Sequence, residues 1–171
     1  MKIESQTLLR KRAIEMAVEP EQKKDSSTII EFIVFVLADE SFGVESAFVR
    51  EVCPLKDYTI LPGTPSFILG IINVRGQILS VVDLKKFFHL PEKGLGELNK
   101  VIILRNDQME FGILADEVIG IRIIFKDDIL PVPLAVNGIS EKYLKGVTKD
   151  GLIILSAVNL LSDKNMIINE E

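Results

Sequence analysis

From Thr28 onward the sequence is a series of short apolar runs cut by tight turns, and most of it occurs twice. "IIEFIVFVL", "FGV", "NKVIILR", "MEFGILA", "VIGIRIIF" and "GLIIL" are rich in Val, Ile and Phe, and Gly, Asp or Asn follows or precedes each. Runs of that composition between such turn residues are strands. Only "DLKKFFHL" (83–90) and "SAVNLLSD" (156–163) have the texture of short helices. The spacing therefore predicts a mostly β protein.

The repetition is specific. "SFGVESAFVREV" (41–52) has an echo in "EFGILADEVIG" (110–120). "FILGIINVRGQILSVVDLKKFF" resembles "YLKGVTKDGLIILSAVNLLS", which aligns Gly70 with Gly146 and Gly76 with Gly151. Asp83-Leu84 then falls near Asn159-Leu160. A spacing of about 70 to 76 residues is too long for a solenoid repeat and suits two small lobes of one design. The order in each copy is strand, glycine turn, strand, short helix. "EKGLGELN" (92–99) is the junction, so the repeat lobes are about 29–98 and 99–163, with room for strands to cross between them. Residues 1–28 form an extension. Ser5 can cap a helix over residues 5–18, with Leu9, Ala13 and Met16 at helical spacing, and "EPEQKKDSST" is a polar linker. Residues 164–171 read as a tail.

Composition excludes several functions. A net charge of −5 argues against a broad phosphate-binding surface, hence against nucleic acid as a partner. No apolar stretch approaches the ~20 residues that span a bilayer, and "MKIESQTLLRKRAIEM" is too charged for a signal-peptide core. One cysteine, Cys53, forms no internal disulfide. These features point to a cytoplasmic protein held by its core.

No catalytic, cofactor or metal site is legible. The sole histidine, His89, ends a short helical stretch and lacks companions. Cys53 has no base near it in sequence and reads as a small buried hydrophobe. The pairs Asp39-Glu40, Asp116-Glu117 and Asp127-Asp128 read as solvated turn or edge acids. "GLG" (94–96) lacks the remaining glycine, strand and helix of a dinucleotide loop. Asp83 is read as a helix N-cap, worth about 1 kcal/mol, with Asn159 as its counterpart. Arg75 stands out, since a turn arginine between two buried strands invites a partner. Glu51, in "AFVREVCP", is the nearest candidate by pattern.

"FVLADESFGVESAFVREVCP", "YTILPGTPSFILGIINVRGQILSVVDL" and "FGILADEVIGI" together resemble the CheW family of chemotaxis scaffolds over residues 29–163. The most specific part is "TPSFILGIINVRGQILSVVDL", whose Pro-x-Phe-x-x-Gly-x-x-Asn-x-Arg-Gly spacing is far from random. The resemblance implies two SH3-like five-stranded β-barrel lobes on a common core, with short helices after the hairpins. It implies an adaptor that couples the cytoplasmic tip of methyl-accepting chemoreceptors to the regulatory domain of a CheA-type histidine kinase. The protein would be recruited to membrane-associated arrays without itself inserting in the membrane. The family's receptor groove falls on Val49, Glu51, Val52, Gly70, Asn73, Arg75, Gly76 and Val118. Val49 and Val52 would supply apolar floor, Gly70 room for a partner backbone, and Glu51 with Arg75 the register. Kinase-contact residues are not assigned. The tail is too short for the receiver domain of a CheV fusion, which needs roughly 120 residues. The long extension departs from the family pattern; it could pack across a barrel, recruit a further partner, or fray. Two other classes remain, a small-ligand-binding β-barrel and a regulatory fragment of a CheA-like kinase, although nothing resembles an ATP-binding segment.

Overall fold

The computed structural model describes residues 28–92, 94–132 and 138–166, together with the backbone of 135–136. The helix expected over residues 5–18 lies outside the described residues. Strands β1 (Ile29–Leu37), β2 (Glu40–Glu45), β3 (Val49–Pro54), β4 (Ile68–Val74) and β5 (Gln77–Val82) precede a short helix, α1 (Leu84–Phe87). The second copy supplies β6 (Lys100–Arg105), β7 (Glu110–Ala115) and β8 (Glu117–Phe125), and a small hairpin of β9 (Ala135–Val136) and β10 (Ile139–Ser140) follows. Then come β11 (Leu144–Val147), β12 (Ile153–Leu155) and α2 (Ala157–Leu160).

The strands form two five-stranded sheets, ordered β11-β12-β2-β1-β8 and β3-β6-β7-β5-β4. The strands cross between copies: each copy places its first hairpin in one sheet and its next three main strands in the other. The resulting plan is the same twice. An edge strand (β8 or β3) pairs antiparallel with a hairpin (β1-β2 or β6-β7). The hairpin's second strand pairs parallel with β12 or β5, and β11 or β4 completes the row.

Alternation along the strands builds three apolar clusters. Phe32, Val34, Ile124, Leu152 and Ile154 fill one face of the first sheet. Ile72, Val74, Leu79, Val81, Val101, Ile103 and Leu114 fill one face of the second. The opposite faces meet in a larger central cluster, where Phe35, Phe42, Ile102, Phe111, Ile153 and Leu155 pack with the helices' Leu84 and Leu160. Every one of those central side chains is at most 3% exposed. Burial on that scale, at roughly 25 cal/mol per Å² of apolar surface, is the main force holding the sheets together.

Both helices are capped from the sequence side. Asp83 accepts the Lys85 N–H at 3.0 Å, as expected. In the second copy the cap is Ser156, whose hydroxyl accepts the Asn159 N–H at 3.1 Å. Asn159 is instead inside α2 and donates to the Lys142 carbonyl at 2.6 Å. Met166, within the segment read as a tail, is fully buried in the central cluster.

Candidate docking site

The β4–β5 turn positions the first group of candidate residues. Arg75 (φ 51°) and Gly76 (φ 86°) both take left-handed backbone, the requirement of a tight two-residue hairpin turn. Asn73 secures the turn by accepting the Gly76 N–H on its side-chain oxygen at 2.8 Å. Arg75 is thereby lifted to the surface, its side chain 71% exposed. It donates from one guanidinium nitrogen to both oxygens of Glu51, at 2.6 and 2.8 Å. The partner expected from the sequence is the partner found. Because Glu51 lies on β3 and Arg75 next to β4, the pair joins the two edges of one sheet. A depression of about 400 Å³ beside it is lined by Glu51, Cys53, Lys56, Asp57, Asn73 and Arg75.

Three further residues extend this rim, and the sequence pattern did not single them out. Arg50 reaches Glu51 at 3.4 Å, Glu110 at 2.5 Å and the Gln77 side-chain carbonyl at 2.8 Å. Gln77 in turn donates to Glu110 at 2.9 Å. The network draws on β3, β5 and β7, so sequence distance conceals it. Burial works to raise the Glu110 carboxyl, but hydrogen bonds from Arg50 and Gln77 outweigh it and leave that carboxyl below its ordinary value. The Glu110 hydrogen bond likewise lifts Arg50 above its ordinary value. Arg50 and Arg75 both reach Glu51 Oε2, so the carboxylate that holds the Arg75 guanidinium is itself held in place.

The apolar candidates lie on a different face. Val49 and Val118 both pack on the central cluster, and Val52, opposite Ile102, is 36% exposed. Glu51 is opposite Ile103 and so faces the other way from Val52. Seven of the eight expected residues therefore divide into a polar rim (Glu51, Asn73, Arg75, Gly76) and an apolar seam between sheets (Val49, Val52, Val118).

Gly70 belongs to neither. It is buried, and the backbone that approaches it is the chain's own, since a Cβ there would stand 2.3 Å from the Thr59 carbonyl oxygen. Thr59 and Ile71 exchange two backbone hydrogen bonds at 2.9 Å across this point. The room expected for a partner backbone is filled by the loop before β4. Gly146 does the same in the second copy, beneath Leu130.

A second apolar feature adjoins Val118. Beyond a bulge in β8, Ile121, Ile123 and Phe125 are 63%, 61% and 36% exposed, and Ile119 at the bulge is 57% exposed. Their period-two spacing is visible in "VIGIRIIF", but the sequence alone reads it as one more strand.

With this geometry in hand, comparison with known proteins is decisive. The CheW-like domain family matches residues 31–165. The chain belongs to the CheW family. Chemotaxis protein CheW of Treponema pallidum is 29% identical over 165 residues, covering 92% of this chain and 93% of that protein. Protein FrzA of Myxococcus xanthus is 36% identical over 151 residues, 88% of each chain. The crystal structure of the scaffolding protein TtCheW from Thermoanaerobacter tengcongensis superposes with a TM-score of 0.68 at 34% identity. That match covers 75% of this chain and 84% of the other. The CheW fold accounts for both sheets.

Three other residues weighed in the sequence lie away from this rim or serve the fold. Cys53 is half-buried against the second sheet's cluster, and burial pushes its thiol up from the ordinary value, away from a reactive thiolate. His89 is exposed in a left-handed conformation (φ 60°) just past α1. Asp116 corrects the sequence reading of a solvated acid. One of its oxygens meets Lys85 Nζ at 2.5 Å and the other accepts the Ala38 N–H at 2.9 Å. Lys85 is only 2% exposed, so this is a buried ion pair that ties α1 to a turn of each sheet. Among the described residues no three metal-ligating side chains cluster, and no helix is long and apolar enough to cross a membrane.

Proposed function

We propose that this CheW-family chain is a non-enzymatic adaptor of a two-component, chemotaxis-type signalling array. It joins the cytoplasmic tip of methyl-accepting chemoreceptors to a CheA-type histidine kinase, through the kinase's regulatory domain, and works in the cytoplasm at membrane-associated arrays. The single observation that supports the docking role is the Arg75 guanidinium, 71% exposed yet held by both oxygens of Glu51.

In this reading the rim of Glu51, Asn73, Arg75 and Gly76 fixes the register of an incoming coiled-coil hairpin. An oriented charge pair selects partners and speeds encounter more than it adds affinity. Val49, Val52 and Val118 supply the apolar contact that a helical partner needs. Asn73 and Gly76 act through the turn, because together they hold Arg75 in its left-handed conformation. Gly70 acts one step further back, by letting the Thr59 loop brace β4.

The test is reconstitution. Receptor-containing membranes and a CheA-type kinase are combined with and without the protein, and kinase activity is followed as receptor ligand is added. The expected result is receptor control only when the protein is present. Ligand-responsive kinase activity without it, or none with it, would overturn the adaptor reading.

A further inference from the structure

Both edge strands carry a bulge at the same point of the shared plan. On β3 it falls between Val49 and Glu51, whose partners Leu104 and Ile103 are consecutive, so Arg50 is the extra residue. On β8 it falls between Val118 and Gly120, opposite Phe35 and Val34, so Ile119 is the extra residue. Leu104 pairs with Phe111 and Phe35 with Phe42, which makes Glu110 and Ser41, one position earlier, matching residues. Arg50, Glu51 and Glu110 therefore stand where the other sheet has Ile119, Gly120 and Ser41.

The bulge is what lets Arg50 and Glu51 act together. Regular alternation turns neighbouring residues to opposite faces, whereas a bulge re-aims the inserted side chain. Arg50 is brought beside Glu51 and within reach of Glu110 on β7. The other sheet shows that the strand plan does not require such a network. There the matching positions hold an isoleucine that is 57% exposed and an exposed serine, beside an open depression lined by Ser41, Ile119 and Gly120. The same bulge and the same ladder form without an ion pair at that point.

The contacts also divide Arg50 in a particular way. Its Nη1 donates to Glu110 at 2.5 Å and to Gln77 at 2.8 Å, while its Nε stands 3.4 Å from Glu51. Glu110 and Gln77 thus draw Arg50 outward from Glu51 and leave that carboxylate to Arg75, at 2.6 and 2.8 Å. Exposure rises along the chain of contacts: Glu110, Arg50 and Glu51 keep 17%, 19% and 20% of their side-chain surface, and Arg75 keeps 71%. Only the last member is free to meet a partner, and the others form a supporting shell behind it.

We propose that Glu110, acting through Arg50 and Glu51, is a positioning residue that keeps the Arg75 guanidinium in place for a receptor. The last step, from Arg75 to the receptor, rests on the docking reading above; the hold on Arg75 does not.

Two measurements on the full chain test this. The first follows the Arg75 side-chain N–H signals by NMR, assigned with Arg75→Lys. In the unmodified chain they are expected to exchange slowly with water, and in Glu110→Gln to move to the position and exchange rate of a free arginine. The second titrates receptor-containing membranes and reads the protein recovered in the pellet. Glu110→Gln, and Arg50→Ile/Glu110→Ser, which installs the residues of the other sheet, should keep the amide spectrum of the folded chain. Both should weaken binding about 2- to 30-fold, the range for a residue that acts on a contact without making it. The exchanged pair Arg50→Glu/Glu110→Arg rebuilds a bridge between β3 and β7 but sets a carboxylate beside Glu51, so binding should stay weak. Restored binding in that variant would make the bridge a fastening only and overturn the proposal. Arg75 signals unmoved in Glu110→Gln would overturn the hold itself. Normal binding by Glu110→Gln, where Arg75→Glu abolishes it, would overturn the positioning role alone; normal binding by Arg75→Glu would overturn the docking reading and this proposal with it.

Discussion

The two sheets share one strand plan and bridge their edges in the same place, but with the charges exchanged. In one, Arg75 on the β4–β5 turn reaches back to Glu51 on β3. In the other, Asp150 on the β11–β12 turn meets Arg122 on β8 at 2.9 Å. The matching position shows that strand order and twist bring the turn onto the opposite edge, and either sign of charge can fasten it. The acid is held by neighbours in both, but differently. Glu51 is also held by Arg50, whereas Asp150 is also held by the Thr148 hydroxyl. Only the first arrangement leaves a guanidinium on an exposed turn with its counterion already fixed.

A second contrast lies in the helices. Lys85, second residue of α1, is buried, while Val158, second residue of α2, is 55% exposed. The reversal of the usual preference has one cause. Asp116, on the turn between β7 and β8, offers Lys85 a counterion inside the fold, so the ammonium is buried as half of a pair. This contrast gives the largest expected effect. Asp116→Ala leaves a buried charge without its partner and should cost about 3–5 kcal/mol in denaturant unfolding. Val158→Lys at the matching place should change stability by less than about 0.5 kcal/mol. Similar losses for the two would break the comparison.

The next effect tests the symmetry itself. Gly70→Ala and Gly146→Ala each drive a Cβ into a backbone carbonyl of the chain's own crossing loop, and each should cost about 2–3 kcal/mol. Gly76→Ala meets nothing within 4 Å and should cost only about 1 kcal/mol, for its positive φ. Unequal penalties at Gly70 and Gly146 would mean that the two loops do not brace their sheets alike.

The smallest effect is on the acid side. Hydrogen bonds from Arg122 and then Thr148 hold Asp150 down at about 2, against an ordinary 3.8. A depressed carboxyl stabilises the fold fully above its ordinary value and loses that contribution as pH falls through its folded value. The Arg122–Asp150 bridge should therefore persist at pH 4 and open as pH falls through about 2, its contribution to stability fading from about 3.8 downward, and a carboxylate NMR titration would give the midpoint. Arg122→Ala should return Asp150 toward 3.8. An Asp150 that titrates near 3.8 with Arg122 in place would remove the bridge from the account.

Much of this was legible in the sequence because it is local. The run "IIEFIVFVL" is β1 residue for residue, and Arg75-Gly76 form the tight turn that "VRGQ" suggests. Glu51 was reachable as the partner of Arg75 because both belong to one copy of the repeat. What escaped depends on contacts between copies. Glu110 joins Arg50 only because β7 of the second copy enters the sheet that β3 begins. Asp116 looked solvated because Lys85, which it neutralises, comes from the other copy. The cap of α2 fell on Ser156 rather than Asn159 because the turns of the two copies differ in length, so the helices are offset from the glycine alignment. Short-range alternation marks a strand without saying which sheet it joins or whether its outer face will be covered, and the isoleucines of β8 were unread for that reason.

The central claim is that the Arg75 rim docks a receptor while contributing little to the fold. Co-sedimentation of Arg75→Glu with receptor-containing membranes tests it most directly, alongside denaturant unfolding of the same variant. The account expects a stability change within about 1 kcal/mol, as for an exposed ion pair, with recovery in the membrane pellet falling to background. Pellet recovery equal to that of the unmodified protein would contradict it.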